Sequence, residues 1–155
     1  MDPFVVTAAH HEAGHALMAY LFGWSIDYIK LEFAKNGEFQ HGVTRYNEEN
    51  AFNLEVRILC LIAGPVAQAI YEQNNIIDLN HLGPDGKSID TLCMAMTSVQ
   101  KNQLLERLFE GASMLLRQNN LRSAREAIVS KLILAKYMHW DSFSQICKDH
   151  NISVL

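Results

Sequence analysis

The sequence predicts an α+β fold, predominantly helical, with a small β-hairpin or sheet towards its N-terminal side and a C-terminal helical bundle. Three observations lead there. Apolar residues recur at helical spacing through PFVVTAAHHEAGHALMAYLF, two alternating stretches flank the pair Asn36-Gly37, and helical periodicity returns after residue 51 and dominates the remainder of the chain. At 155 residues the chain suits one domain, 1–155, and it carries no internal repeat, low-complexity tract or linker.

Asp2-Pro3 supplies an N-cap and a first-turn proline, so the first helix starts there and ends before Gly23. WSIDYIKLEF, residues 24–33, alternates as a strand does, with Ile26 and Tyr28 facing one way and Ile29, Leu31 and Phe33 mostly the other. AKNGEF turns the chain at Asn36-Gly37, and QHGVTRY reads as a short partner strand laid with the first against the helix. From Ala51 to Tyr71 the pattern is helical again; Gly64-Pro65 should bend or interrupt it, while Ala63-Gly64 permits close approach of another helix. A loop then runs from Asn74 to Lys87, and Ser88 or Asp90 opens a helix that continues to Arg117. Residues 121–138 form another helix after the break at NNL, and Asp141 or Ser142 starts a short terminal one.

Thirteen Lys+Arg against seventeen Asp+Glu give a net charge of -4, which argues against broad electrostatic attachment to nucleic acid. Polar residues interrupt the apolar runs before they reach the roughly 20 needed to span a bilayer, and no basic leader with a cleavage motif opens the chain. Cys60, Cys93 and Cys147 are far apart and lie among apolar residues, so they read as reduced core thiols. The expectation is a cytoplasmic protein without direct membrane insertion.

The chemistry concentrates in HHEAGH. His11 and His15 lie one helical turn apart and can present two nitrogens to one ion, while Glu12, beside that face, can take a proton from water the ion activates. Two histidines at this spacing are by themselves more often packed side chains. The glutamate between them, the helical setting and the space left by Gly14 turn the pattern into an HExxH metal site. Zinc suits imidazole and oxygen donors, and a catalytic zinc site keeps one position open. His10 points elsewhere and reads as a surface or packing residue.

A third ligand must come from outside this helix, and Asp90, Asp85, Asp78, Glu72 and His81 are the candidates. Asp90 begins the helix in GKSIDTLCMAM and would be held rigidly, although an N-cap acid carries the same signature. Asp85 sits in GPDG, whose glycines let the chain come close and which is equally an ordinary turn. Glu72 could complete the set from a helix end, and His81 would make it a three-histidine site.

AAHHEAGHALMAYLFG, followed by LIAGPVAQAIYE and SIDTLCMAM, resembles the peptidase domain of the FtsH-type metalloproteases, the M41 family. The likeness follows most of the chain in order, and its first motif is the specific one. It implies a zincin-like fold, Zn2+ as cofactor, His11 and His15 as metal ligands, Glu12 as general base and Asp90 as third ligand, with Asp85 in reserve. ATP-driven unfolding and membrane anchoring are not implied, because the domains that supply them in that family do not fit in these residues. Gln68 stands where the family commonly has a glutamate.

The expected function is that of a zinc-dependent, metalloendopeptidase-like hydrolase acting on a peptide or unfolded protein substrate, with QHGVTRY able to pair with an extended chain. A noncatalytic metal-stabilised protein-interaction domain on the same scaffold is the alternative, and hydrolysis of a different amide is a second. Trp24 and Trp140 read as core or helix-docking aromatics, and Met94, Met96 and Met114 as flexible core filling. GPDGKS lacks the spacing of a phosphate-binding loop.

Overall fold

The computed structural model describes residues 2–74, 77, 78 and 82–155. Its elements run α1 (Pro3–Leu21), β1 (Ile26–Phe33), β2 (Phe39–Tyr46), α2 (Leu54–Tyr71), α3 (Gly83–Leu92), α4 (Ser98–Leu116), α5 (Asn119–Ala135), β3 (Tyr137–His139) and α6 (Trp140–Asp149). This is a mostly helical α+β fold with a small antiparallel sheet and a helical C-terminal region.

Helix α1 starts where the Asp2 carboxylate accepts a hydrogen bond from the Phe4 amide at 2.9 Å, with Pro3 in the first turn. It ends at Phe22, and Gly23 takes a φ of 74°, which swings the chain towards β1. Ala9, Ala13, Ala16 and Leu17 are fully buried along it. The close neighbour is α2, capped by Asn53, whose side chain accepts from the Val56 amide at 3.1 Å. Gly14 sets their separation: a Cβ there would collide with the Ala63 carbonyl and the Ala67 side chain. The helix continues unbroken through Pro65, contrary to an interruption, since proline removes one amide donor and the flanking turns remain bonded.

Sheet order is β2-β1-β3, both pairings antiparallel, so β2 is an edge strand. Ile29 is the pivot, paired with Thr44 on one side and Met138 on the other. The turn between β1 and β2 is closed by Asn36, which accepts from the Glu38 amide at 3.1 Å, and by Gly37 at φ 85°. Strand β3 takes in Tyr137 and Met138, the end of the helix expected over 121–138, together with His139. Lys136 adopts a left-handed φ of 59°, ends α5, and its carbonyl accepts a hydrogen bond from the Leu31 amide at 2.9 Å. Three residues are too few to show an alternating pattern.

A second difference lies after α2. The helix expected from Ser88 or Asp90 to Arg117 is two helices, and GPDG forms the first turn of α3 rather than a loop. Residues 93–97 separate them, and α4 begins with a capping box in which Thr97 and Gln100 bond each other's backbone. One apolar cluster runs from Val5 to Ile152 and includes Leu17, Ile29, Ile62, Leu132 and Phe143. The three cysteines are free and buried. Trp140 packs against Tyr20 and Phe143, as a docking aromatic does. Met94, in the segment between α3 and α4, and Met114, on the outward side of α4, are 82% and 67% exposed and so do not fill the core.

Candidate metal centre

His11 and His15 project from one face of α1 with ring centroids 4.7 Å apart. Each ring is aimed by its Nδ1. That of His15 donates to the Cys60 carbonyl at 2.7 Å, and that of His11 lies 3.2 Å from Gln68 Oε1, whose amide nitrogen donates in turn to Glu72 at 3.0 Å. Both Nε2 atoms then face one oxygen, Asp85 Oδ2, at 3.0 Å from His11 and 3.4 Å from His15. The partners Cys60 and Gln68 sit one turn before and one turn after Gly64 on α2. A Cβ on Gly64 would strike Nε2 of both rings, so the hole in that helix is the space the imidazoles occupy.

Glu12 is 7% exposed, with Oε2 accepting a hydrogen bond from Thr44 Oγ1 at 2.8 Å. Gly42, two residues earlier on the same face of β2, gives the carboxylate room: a Cβ there would lie 2.5 Å from Glu12 Cγ and 2.8 Å from Oε1. The donor atoms of His11, Glu12 and His15 all fall within 4.8 Å of one another, a cluster able to coordinate a divalent ion such as Zn2+. A cavity of about 490 Å³ opens over them, with Phe4, Ala8, Phe39, Val43 and Leu61 on its apolar side and β2 along one wall. Glycines where side chains would collide, Nδ1 atoms anchored so that Nε2 faces inward, and a nitrogen-and-carboxylate donor set all fit the ion. The arrangement is consistent with a zinc-dependent metalloendopeptidase-like active site.

The expected third ligand is not the one brought to the imidazoles. Asp90 is exposed and its carboxylate pairs with Lys101, whereas Asp85 faces both rings. On α3 the two aspartates are five residues and so about 140° apart; Asp85 shares its face with buried Ile89, and Asp90 is turned outward. Glu72 holds Gln68, Asp78 lines a neighbouring cavity, and His81 lies outside the described residues. His10 stacks on Tyr71 at 4.1 Å on the far side of α1; burial, and then the charge of Arg125, lower its pKa to about 4. Sequence reasoning missed Thr44, Gly42 and the Cys60 carbonyl, which are distant in the chain and carry no motif. Gln68 was visible only as a departure from the M41 pattern.

Residues 3–73 match the Peptidase M50B-like family. That stretch holds His11, Glu12 and His15 and covers α1 to α2, fewer than half of the residues; no curated protein matches the chain. The chain therefore resembles an M50B-like zinc metallopeptidase, and the likeness to the FtsH-type M41 domain is overturned. The motif that carried it, HExxH among small and apolar residues, is the ligand chemistry of many zinc peptidases and does not separate families. The cytoplasmic expectation falls as well. The M50B-like match, together with α2, the one helix among the described residues long and apolar enough to cross a bilayer, points towards membrane association. Its two charged residues, Glu55 and Arg57, lie in the first turn, and its inward side packs on α1.

Without an ion, the pH response comes from the same contacts. Burial pulls the His15 imidazole down, but the Asp85 hydrogen bond and the charges of Glu12 and Asp85 outweigh it and raise its pKa to about 9. Burial would raise the Asp85 carboxyl; the bonds from His11 and His15 win and hold it well below the usual carboxylate range. The raised imidazole stabilises the fold fully below its ordinary 6.5 and loses that contribution as pH climbs through about 9. The lowered carboxyl contributes above its ordinary 3.8 and loses its share as pH falls further. The metal-free protein should therefore melt highest between these limits, as measured by Tm in a chelator across a pH series. A Tm that rises from pH 6.5 to 9 would contradict the His15–Asp85 contact.

Proposed function

We propose that the chain is a zinc-dependent peptidase acting on short or unfolded peptides, and that residues 1–155 work as one peptidase unit. The observation that carries it is the convergence of both Nε2 atoms on Asp85, with the Glu12 carboxylate beside them under an open cavity. His11, His15 and Asp85 would hold the ion. Bound there, zinc would polarise the scissile carbonyl and acidify water. Glu12 takes the water proton and passes it to the leaving amine nitrogen; Thr44 fixes Oε2 and so orients the carboxylate for both transfers. The edge of β2, unpaired among the described residues, offers an extended substrate backbone hydrogen bonds alongside the cavity, and the apolar wall beside α1 suits an apolar side chain near the cleaved bond.

Asp85→Ala and Asp90→Ala separate the two ligand assignments. If roughly 10–16 kcal/mol of zinc binding is shared among about four ligands, loss of one costs about 3 kcal/mol, or about a hundredfold in affinity. Asp85→Ala should show that loss in a competitive zinc titration and lose peptide cleavage with it. Asp90→Ala should bind zinc as the unaltered protein does. The opposite pattern would return the role to Asp90, and zinc-loaded protein that cleaves no peptide would leave a noncatalytic metal-stabilised domain.

A further inference from the structure

Arg57, Leu61, Gly64 and Gln68 recur at helical spacing along α2 and so share one stripe of it. Gly64 leaves the space the imidazoles occupy, Gln68 aims His11 and Leu61 belongs to the apolar wall, which leaves Arg57 without an assigned part. It lines the same cavity as His11, Glu12 and His15, about 10 Å along the helix axis from Gly64. Among the described residues around that cavity it is the one Lys or Arg. Its guanidinium lies over the Tyr46 ring, Cζ 4.5 Å from the centroid, so it is held in place without using a hydrogen-bond donor. Tyr46 in turn stands two residues along β2 from Thr44, the tether of Glu12, a rise of about 7 Å.

Two features set this arginine apart. Neighbouring cations are paired, Arg45 with Asp27 and Glu48, and Arg107 with Glu55, the acid two residues before Arg57. Arg57 has no carboxylate or hydrogen-bond acceptor among the described residues, yet it is only partly buried and its nitrogens are not sealed from solvent as Nε and Nη1 of Arg125 are. It also stands in the first turn of α2, where the helix dipole disfavours a cation. A guanidinium kept against that preference, in a cavity wall and with its donors free, is a ready receptor for a planar carboxylate. The cavity's own acids do not compete for it, since Glu12 is tethered by Thr44 and Asp85 faces both imidazoles.

We propose that Arg57 is a specificity-determining residue whose guanidinium takes a carboxylate of the peptide substrate, about two residues from the cleaved bond. The role rests on the peptidase reading above. The carboxylate belongs to an acidic side chain or to the substrate's own C-terminus, because a chain lying extended along β2 brings both to the same place. Arg57 takes no part in the bond-breaking step. It adds binding that is equal before and during the reaction, so its effect falls on KM.

The test uses the zinc-loaded full chain and fluorogenic octapeptides, apolar except for one Glu, Gln or Lys walked through the positions on each side of the cleaved bond, which mass spectrometry locates. A second set of shorter peptides ends near that bond in a free carboxylate or in an amide. A hydrogen bond between charged groups in a partly exposed setting is worth about tenfold. The expected result is therefore a kcat/KM about tenfold higher for Glu than for Gln at one position, or for acid than for amide at the terminus, carried by KM. The first result assigns the carboxylate to a side chain and the second to a chain end. Arg57→Gln should bring the ratio to about one, and Arg57→Glu should make Lys preferred over Glu, a reversal that a merely structural arginine would not give. Equal kcat/KM across the peptides in the wild type would overturn the proposal and leave the peptidase reading standing, as would a preference that survives in Arg57→Gln. Loss of folding or of zinc in both variants would overturn it too, by assigning Arg57 to the joint between α2 and β2. A zinc-loaded wild-type chain that cleaves none of these peptides would remove the peptidase reading itself, and Arg57's part with it.

Discussion

Glu12→Gln should bind zinc as the unaltered protein does and lose about a thousandfold in kcat, within the 10²–10⁴ that a positioned general base contributes. The substitution preserves shape: glutamine fits the space opposite Gly42, and its amide oxygen still accepts the hydroxyl of Thr44, which holds the present carboxylate at 2.8 Å. What disappears is the ability to accept a proton. Substrate affinity depends on the cavity wall and the edge of β2, neither of which changes, so the loss falls on turnover and KM stays within about twofold. Zinc content by elemental analysis and steady-state kinetics on one peptide decide it. Full turnover in a stoichiometrically metallated Glu12→Gln protein would remove Glu12 from the proton path and leave it as a structural partner of Thr44.

How legible this site was in the sequence depends on how far apart its parts lie. His11, Glu12 and His15 occupy little more than one turn of α1, so spacing alone put two nitrogens and a carboxylate together, and the surrounding apolar positions indicated a buried helix. Asp85 could not be separated from Asp90 in that way. The choice turns on where α3 begins: reading Ser88 or Asp90 as its start left GPDG in a loop and Asp90 in the first turn, whereas the helix starts at Gly83 and turns Asp85 to the rings. Thr44 and Gln68 meet the motif across 32 and 57 residues, contacts made by docking β2 and α2 on α1 rather than by any local pattern. The small strand β3 and the break between α3 and α4 were hidden for a related reason: backbone events at Lys136 and Thr97 override an apolar spacing that continues on both sides. Family identity was the least legible part, because the residues able to coordinate an ion are those least able to distinguish one zinc peptidase from another.

Gly64→Ala should lower zinc affinity by about a thousandfold or more while leaving a folded protein, a consequence of how α2 frames the imidazoles. Cys60, Gly64 and Gln68 are successive turns of one helical face: the first holds His15 through its carbonyl, the last holds His11 through its amide, and the glycine between them is where the ring edges sit. A methyl at Gly64 overlaps Nε2 of both rings, and neither can withdraw while its Nδ1 stays bonded. Two ligands are disturbed at once, so the loss exceeds the roughly hundredfold expected for one. Overpacking costs about 1–3 kcal/mol of stability, partly offset by the gain of about 1 kcal/mol for alanine over glycine within a helix. Gly111→Ala, in α4 where an added Cβ meets nothing within 4 Å among the described residues, isolates that helix gain and should raise Tm without touching zinc binding. Zinc titration and thermal melting of the two variants side by side separate site from scaffold; wild-type zinc affinity in Gly64→Ala would mean that the ion is not held by these two nitrogens.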